Sequence, residues 1–270
     1  MSAGGVVNPQ LGRKDRVAAA VLAWSTGRQP VHAAAVRNLL IYPQASLAYN
    51  RIKKSGNSSM LLYLRDALAP GSPQAAQPYS RAKDEAIALG CTMRQLLRRP
   101  RALLRLPQCF FFTVMRDPRA RLLSGFLEKV GSGHAQRYSA AGGFGDSSPQ
   151  GFERFLTYLE EGGLHDDAHW WPQVDLMAFA PDQFDAIYQL ESIDQHLPAL
   201  LRQRGLTVDG LDCSRPHRVE QQFTVPGKPP KLKQAASKLQ HYLAPGVEER
   251  IVRLYEPDFY AGGYAPGVIG

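Results

Sequence analysis

Within seven residues, Lys53-Lys54-Ser55-Gly56-Asn57-Ser58-Ser59 brings together two ammonium groups, three hydroxyls, an amide and a glycine. These groups suit an anion. Ammonium and hydroxyl donors make charge-assisted hydrogen bonds to phosphate or sulfate oxygens. If the stretch joins a strand to a helix, backbone N–H groups and the positive end of the helix dipole add to the same field. A second anion-binding candidate starts at Arg116, whose planar guanidinium can fork two donors onto one phosphate. Ser124 lies about two helical turns further on, where its hydroxyl can serve the same group.

Both candidates need rigid elements around them. Leu39, Leu40, Ile41 and Tyr42, then Leu47, Ala48 and Tyr49, read as buried strand before the first. Met60 to Leu68 reads as helix after it. Cys109-Phe110-Phe111-Phe112-Thr113-Val114-Met115 is a continuous apolar run, as in a strand buried on both faces. After it, Asp117 suits an N-cap and Pro118 a first helical turn. Leu122, Leu123, Phe126 and Leu127 then form the apolar stripe of a helix over 119–130.

The remaining chain alternates in the same way. Helices are predicted over 14–25, 84–99, 152–161, 193–203 and 245–255, with a strand over 184–190. Residues 36–49 hold one strand or two short ones broken at Pro43. Loops are expected at 70–78, which is rich in proline, at 131–151, rich in Gly, Ser and Ala, and at 219–233. Alternating strands and helices imply an α/β fold with a mainly parallel sheet. Residues 1–35 read as a tail and one helix, and 36–270 as a single domain.

The chain has 270 residues, 44% of them hydrophobic, enough for a sizeable core. Its formal net charge of +8 favours an anionic ligand without choosing which. Cys91, Cys109 and Cys213 are few, scattered and without CxxC spacing. That argues against a disulfide scaffold or a cysteine zinc site and fits a reducing compartment. No run of about 18 apolar residues predicts a transmembrane helix. Arg13, Lys14 and Arg16 precede an apolar stretch to Trp24, which reads as an ordinary helix rather than a leader.

The loop is not a Walker A motif, because its lysine precedes the glycine. No acid sits plainly at a strand end to hold Mg²⁺; Asp117 is nearest and reads as a helix cap. A metal-independent anion cradle is therefore expected. A kinase with an aberrant loop, and a non-enzymatic polyanion or nucleic-acid binder, are the alternatives. No stacking aromatics are interleaved with the basic runs, so no nucleic-acid partner is expected.

Taken together, these stretches resemble the sulfotransferases that use 3'-phosphoadenosine 5'-phosphosulfate (PAPS). Tyr49-Asn50-Arg51-Ile52-Lys53-Lys54-Ser55-Gly56-Asn57-Ser58-Ser59 is similar to that family's 5'-phosphosulfate loop. Thr113-Val114-Met115-Arg116-Asp117-Pro118, with Leu122, Leu123 and Ser124, is similar to its 3'-phosphate motif. His169-Trp170-Trp171-Pro172-Gln173 and Leu254-Tyr255-Glu256-Pro257-Asp258-Phe259 resemble two segments of its carbohydrate branch, which includes the chondroitin and uronyl 2-O enzymes. Lys53 stands where the family usually has proline.

The resemblance implies a P-loop-like three-layer fold and sulfuryl transfer from PAPS to a hydroxyl of a carbohydrate or glycoconjugate, with no metal required. Arg51, Lys53, Lys54, Ser55, Gly56, Asn57, Ser58 and Ser59 would hold the 5'-phosphosulfate end. Arg116 and Ser124 would hold the 3'-phosphate. Lys54 would be catalytic, and His169 is the first choice of general base, ahead of Glu85 and His134. Lys228 and Lys231 are candidates for a further nucleotide contact. Arg94, Arg98, Arg99, Arg101 and Arg105 are either an acidic-glycan surface or a solvated face. The Golgi relatives carry a membrane anchor and lumenal disulfides, whereas this chain reads as a cytoplasmic, bacterial-type member.

Overall fold

The computed structural model describes residues 12–70, 79–131, 147–209, 211, 235–244 and 246–267. His134, Lys228, Lys231, nearly all of the proline-rich loop and most of the 131–151 loop lie outside the described residues, as do nearly all of the tail to Gly12 and the 219–233 segment. The chain forms two compact units, each built from segments distant in sequence.

One unit draws on Asn8–Met115 and Leu176–Lys231. It contains a four-stranded sheet in the order β1 (Leu39–Tyr42), β2 (Leu47–Asn50), β3 (Phe110–Met115), β4 (Ala186–Gln189). The first pair is antiparallel and the other two are parallel. The fold is α/β, as the alternation of elements implies. Of the two readings left open for 36–49, the structure takes the second: β1 and β2 are short strands on either side of Pro43, which opens a single 3₁₀ turn between them. Both parallel pairs lie beside β3, which explains its unbroken apolar run: a strand with neighbours on both edges and cover on both faces has no solvated side.

α2 (Asn57–Leu68) and α3 (Tyr79–Leu89) cover one face of this sheet, and α1 spans Arg13–Thr26. Leu40, Tyr42, Leu47, Tyr49, Phe112 and Val114 share a core with Met60, Leu61 and Leu64 of α2 and with Ile193, Leu197 and Leu201, which belong to a later helix. On the opposite face Phe111 meets Phe179 edge-on, with ring centroids 5.4 Å apart, and the Arg28 guanidinium lies 4.8 Å from the Phe111 centroid.

The helix predicted over 84–99 is not continuous. α3 stops at Leu89, and short helical turns α4 (Met93–Leu96) and α5 (Pro100–Leu103) follow. Between them Cys91 exchanges backbone hydrogen bonds with Ile41, at 2.8 and 2.9 Å. Gly90 permits this approach: a Cβ there would sit 2.9 Å from both Leu40 Cγ and Tyr42 Cε1. Pairing with β1 thus overrides helix propensity at this point.

The second unit draws on Arg116–Asp175 and Leu232–Gly270 and is helical. Its described helices are α6 (Pro118–Gly131), α7 (Pro149–Glu160), α9 (Ala235–Tyr242) and α10 (Val247–Gly262); α8 (Ile193–Gln203) belongs to the sheet unit. Leu122, Leu123 and Phe126 of α6 pack with Phe152, Phe155, Trp170, Tyr255 and Phe259. The last helix runs past its predicted end at Tyr255. It kinks there, where Tyr255 has φ −123°, because Pro257 cannot complete the ladder. Among the described residues no helix is long and apolar enough to cross a membrane.

Asp15 ties α1 to the sheet unit. It is buried, accepts from Arg37 Nε at 3.0 Å and from Arg94 Nε at 2.7 Å. The Arg37 hydrogen bond holds its carboxyl below the usual range, against burial that raises it. Asp15→Asn should therefore cost about 1–3 kcal/mol near neutral pH, read from urea unfolding. The lowered value makes this stabilisation complete above the unfolded carboxylate pKa near ~3.9 and lost as pH falls through the folded one. Wild type and variant should therefore converge at acid pH.

Candidate functional site

The stretch after β2 begins from a fixed point. Asn50 is fully buried, and its side chain donates to Leu176 O (3.2 Å) and accepts from the Ala178 N–H (2.9 Å). Its own carbonyl accepts from the Thr113 hydroxyl on β3 at 2.9 Å. Arg51 N–H then donates to Asn38 O at 2.9 Å. The turn that follows, Lys53 to Gly56, contains two left-handed residues, Lys54 at φ 68° and Gly56 at φ 68°. Glycine is at ease there; lysine bears a strain of about 1–2 kcal/mol. Gly56 also meets a neighbour, since a Cβ would fall 2.4 Å from Cδ1 of the buried Leu190, just after β4.

Gly56 O accepts the Met60 N–H at 2.9 Å and α2 begins. No side chain caps this helix from Gly56. The N–H groups of Gly56 to Ser59 have no acceptor within a helix by construction, and they carry the positive end of its dipole. Ser55 and Ser59 are buried, Lys54 is half-buried and Lys53 is exposed. Three buried polar atoms here have no hydrogen-bond partner: Tyr49 Oη, Arg51 Nε and Asn57 Oδ1. Burial without a partner costs about 1–3 kcal/mol per group, so such atoms mark strain or a place for a ligand. Arg51, Lys53, Lys54, Ser55, Gly56, Asn57, Ser58 and Ser59 thus form one continuous turn and helix start.

Arg116, Ser124 and His169 belong to the helical unit. Arg116 is buried, and its backbone is gripped from both sides by one side chain. Its N–H donates to Gln173 Oε1 (3.0 Å), and its carbonyl accepts from Gln173 Nε2 (2.8 Å). Gln173 is in turn held by Asp258, whose two oxygens accept the backbone N–H groups of Gln173 (2.7 Å) and Val174 (3.0 Å). Burial pushes the Asp258 carboxyl up, and the Arg121 charge pulls it back down.

Arg119 and Arg121 have structural partners. Arg119 pairs with Asp117 at 2.6 Å and with Glu248 at 2.5 Å, while Arg121 donates to Trp171 O at 2.7 Å. Asp117 caps α6 as expected, accepting the Arg119 N–H at 2.8 Å. Ser124 is half-buried on α6.

His169 lies on the turn before Trp170, a buried residue whose indole donates to Gly163 O at 3.0 Å. His169 Nδ1 is 2.5 Å from Asp167 Oδ1, which also accepts the His169 N–H at 2.8 Å. A carboxylate can only accept, so the ring proton sits on Nδ1 and Nε2 carries the lone pair of the neutral ring. Glu128 Oε1 is 4.0 Å from that nitrogen. Gly125 lets α6 approach: a Cβ there would lie 3.0 Å from His169 O. Glu85 is half-buried on α3, in the sheet unit. Cys109 is buried, and its burial pushes the thiol up to about 12, so it is unreactive.

Three residues gained a place that sequence reasoning had not assigned. Asp167 orients His169, and Gln173 with Asp258 supports Arg116. Gln173 and Asp258 belong to the two motif segments, whereas Asp167 stands outside both.

The Sulfotransferase family model matches residues 37–265. The chain belongs to the sulfotransferase family. No curated protein and no solved structure gives a significant match. The family match runs unbroken through the loop after β2, the Arg116 stretch, the His169 turn and α10.

Two glycines make the geometry testable. Gly56→Ala should destabilise the chain by about 1–3 kcal/mol in denaturant unfolding, through its φ and its clash with Leu190. Gly125→Ala meets backbone rather than a side-chain tip. Its expected signature is a displaced His169 imidazole resonance with a lowered Tm, offset in part by the ~1 kcal/mol helix preference of alanine over glycine.

Proposed function

We propose that this sulfotransferase takes its sulfuryl group from PAPS and delivers it to a hydroxyl of a carbohydrate or glycoconjugate, in the cytoplasm. The observation that carries the reading is the pairing of β2 with β3. The strands run parallel, with Asn50 opposite Thr113, so their carboxyl ends share one edge of the sheet. One phosphate motif follows each end. The reading treats 36–270 as one catalytic domain, in keeping with the continuous family match.

The residues of the loop suit a phosphosulfate. Arg51 Nε, the backbone N–H groups of the helix start and a half-buried lysine offer donors and charge in one turn. PAPS would supply an activated sulfuryl group whose leaving group is a phosphate. Lys54 would stabilise the charge that gathers on that phosphate as the S–O bond breaks. Arg51, Lys53 and the 55–59 backbone and hydroxyls would hold it in place. Arg116 and Ser124 would take the 3'-phosphate, which separates PAPS from ATP. His169 would accept the acceptor's hydroxyl proton at Nε2, with Asp167 steadying the resulting imidazolium.

The test is turnover of PAPS with a panel of glycans, followed by release of 3'-phosphoadenosine 5'-phosphate (PAP). Wild type should transfer sulfate in the presence of a chelator. Lys54→Ala should lose about 10²–10³ in kcat. His169→Ala should lose about 10²–10⁴ in kcat with nucleotide affinity kept. Mg²⁺-dependent ATP turnover without use of PAPS would instead establish the kinase alternative. Salt-steep DNA or RNA binding that survives Lys54→Ala, without turnover, would establish the polyanion binder.

A further inference from the structure

Arg116 stands one residue beyond the last pair of β3, which is Met115 with Gln189. A chain leaving a sheet there loses the ladder that satisfied its N–H and C=O groups. The Gln173 amide replaces the ladder for this one residue, accepting at 3.0 Å and donating at 2.8 Å. Glutamine suits the task because its side chain carries a donor and an acceptor side by side. Gln173 has no exposed surface, and neither has Asp258.

Asp258 is a costly support for a turn. Taking a carboxylate out of water is unfavourable unless its oxygens are satisfied. Here both oxygens accept backbone N–H groups, one each from Gln173 and Val174. Tyr255, one turn earlier on α10, donates its hydroxyl to Trp170 O at 2.5 Å, and Arg121 donates to Trp171 O. Four residues flanking Pro172, namely Trp170, Trp171, Gln173 and Val174, are thus pinned through their backbones. The Gln173 side chain is the part of that turn that reaches Arg116.

We infer that Gln173 and Asp258 are positioning residues for Arg116, and that their chain of hydrogen bonds sets the preference for a nucleotide bearing a 3'-phosphate. The inference rests on the proposed PAPS reading and deepens it. Holding both backbone groups of Arg116 fixes the point from which its side chain starts, and so the direction from which the guanidinium can approach a phosphate. Loosening the clamp therefore weakens the 3'-phosphate contact, while contacts to adenine, ribose and the 5'-phosphate stay as they are.

The experiment compares calorimetric affinities for PAP and for adenosine 5'-phosphate. Wild type should prefer PAP. Gln173→Met keeps length and loses both hydrogen bonds. It should bind PAP about tenfold more weakly, with adenosine 5'-phosphate affinity within about twofold of wild type. In Arg116→Ala the further change to Gln173→Met should have no added effect, since the two act as one unit. Asp258→Asn should show the same loss of preference to a smaller degree.

A clamp that is merely structural would lower both affinities together or neither, and either result overturns the inference. Wild type that binds neither nucleotide overturns the PAPS reading itself. If the variants do not fold, hydrogen exchange on the wild type decides. The Arg116 amide should gain protection with PAP and none with adenosine 5'-phosphate; equal protection by both overturns the inference.

Discussion

The parallel pairing of β2 with β3 is the constraint on which the rest depends. Its register sets Leu47 opposite Phe110 and Asn50 opposite Thr113, so both strands end at one edge. The pairing is held by more than its ladder. Tyr49 stacks on Phe112 with ring centroids 5.2 Å apart, an interaction worth about 0.5–1.5 kcal/mol beyond its burial. The Thr113 hydroxyl bonds the Asn50 carbonyl across the pair. A slip by one residue would turn Tyr49 and Phe112 out of the core that they share with α2 and α8. It would also shift the starting point of the loop that carries Lys54.

Polar groups with no solvent access divide the work at the two motifs. In the first, Asn50 fixes where the strand stops, and Gly56 and Lys54 bend the chain into the helix. In the second, three arginines stand close in sequence yet differ in use. Arg119 and Arg121 tie α6 to its surroundings through Asp117, Glu248 and Trp171. Arg116 is held through its backbone by the Gln173 amide.

Much of this was legible in the sequence because its signals are local. The apolar run from Phe110 to Met115 announces a strand with two neighbours. Asp117-Pro118 announces a helix start, and the turn of Lys53 to Gly56 follows the predicted strand. What the sequence concealed depends on partners far along the chain. The helix break at Gly90 exists because Cys91 pairs with Ile41. The extension of α10 through Pro257 places Asp258 beneath Gln173, 85 residues away. Likewise, the tautomer of His169 follows from Asp167, two residues earlier, but only once the turn has folded back on itself.

The central proposal is that the chain binds a 3'-phosphoadenosine nucleotide, with roles for Lys54 and for Arg116. Calorimetric titration with PAP tests it most directly, using wild type, Lys54→Ala and Arg116→Ala. The account predicts binding by wild type and a loss of about tenfold or more in each variant. No binding by wild type, or undiminished binding by Arg116→Ala, would contradict it.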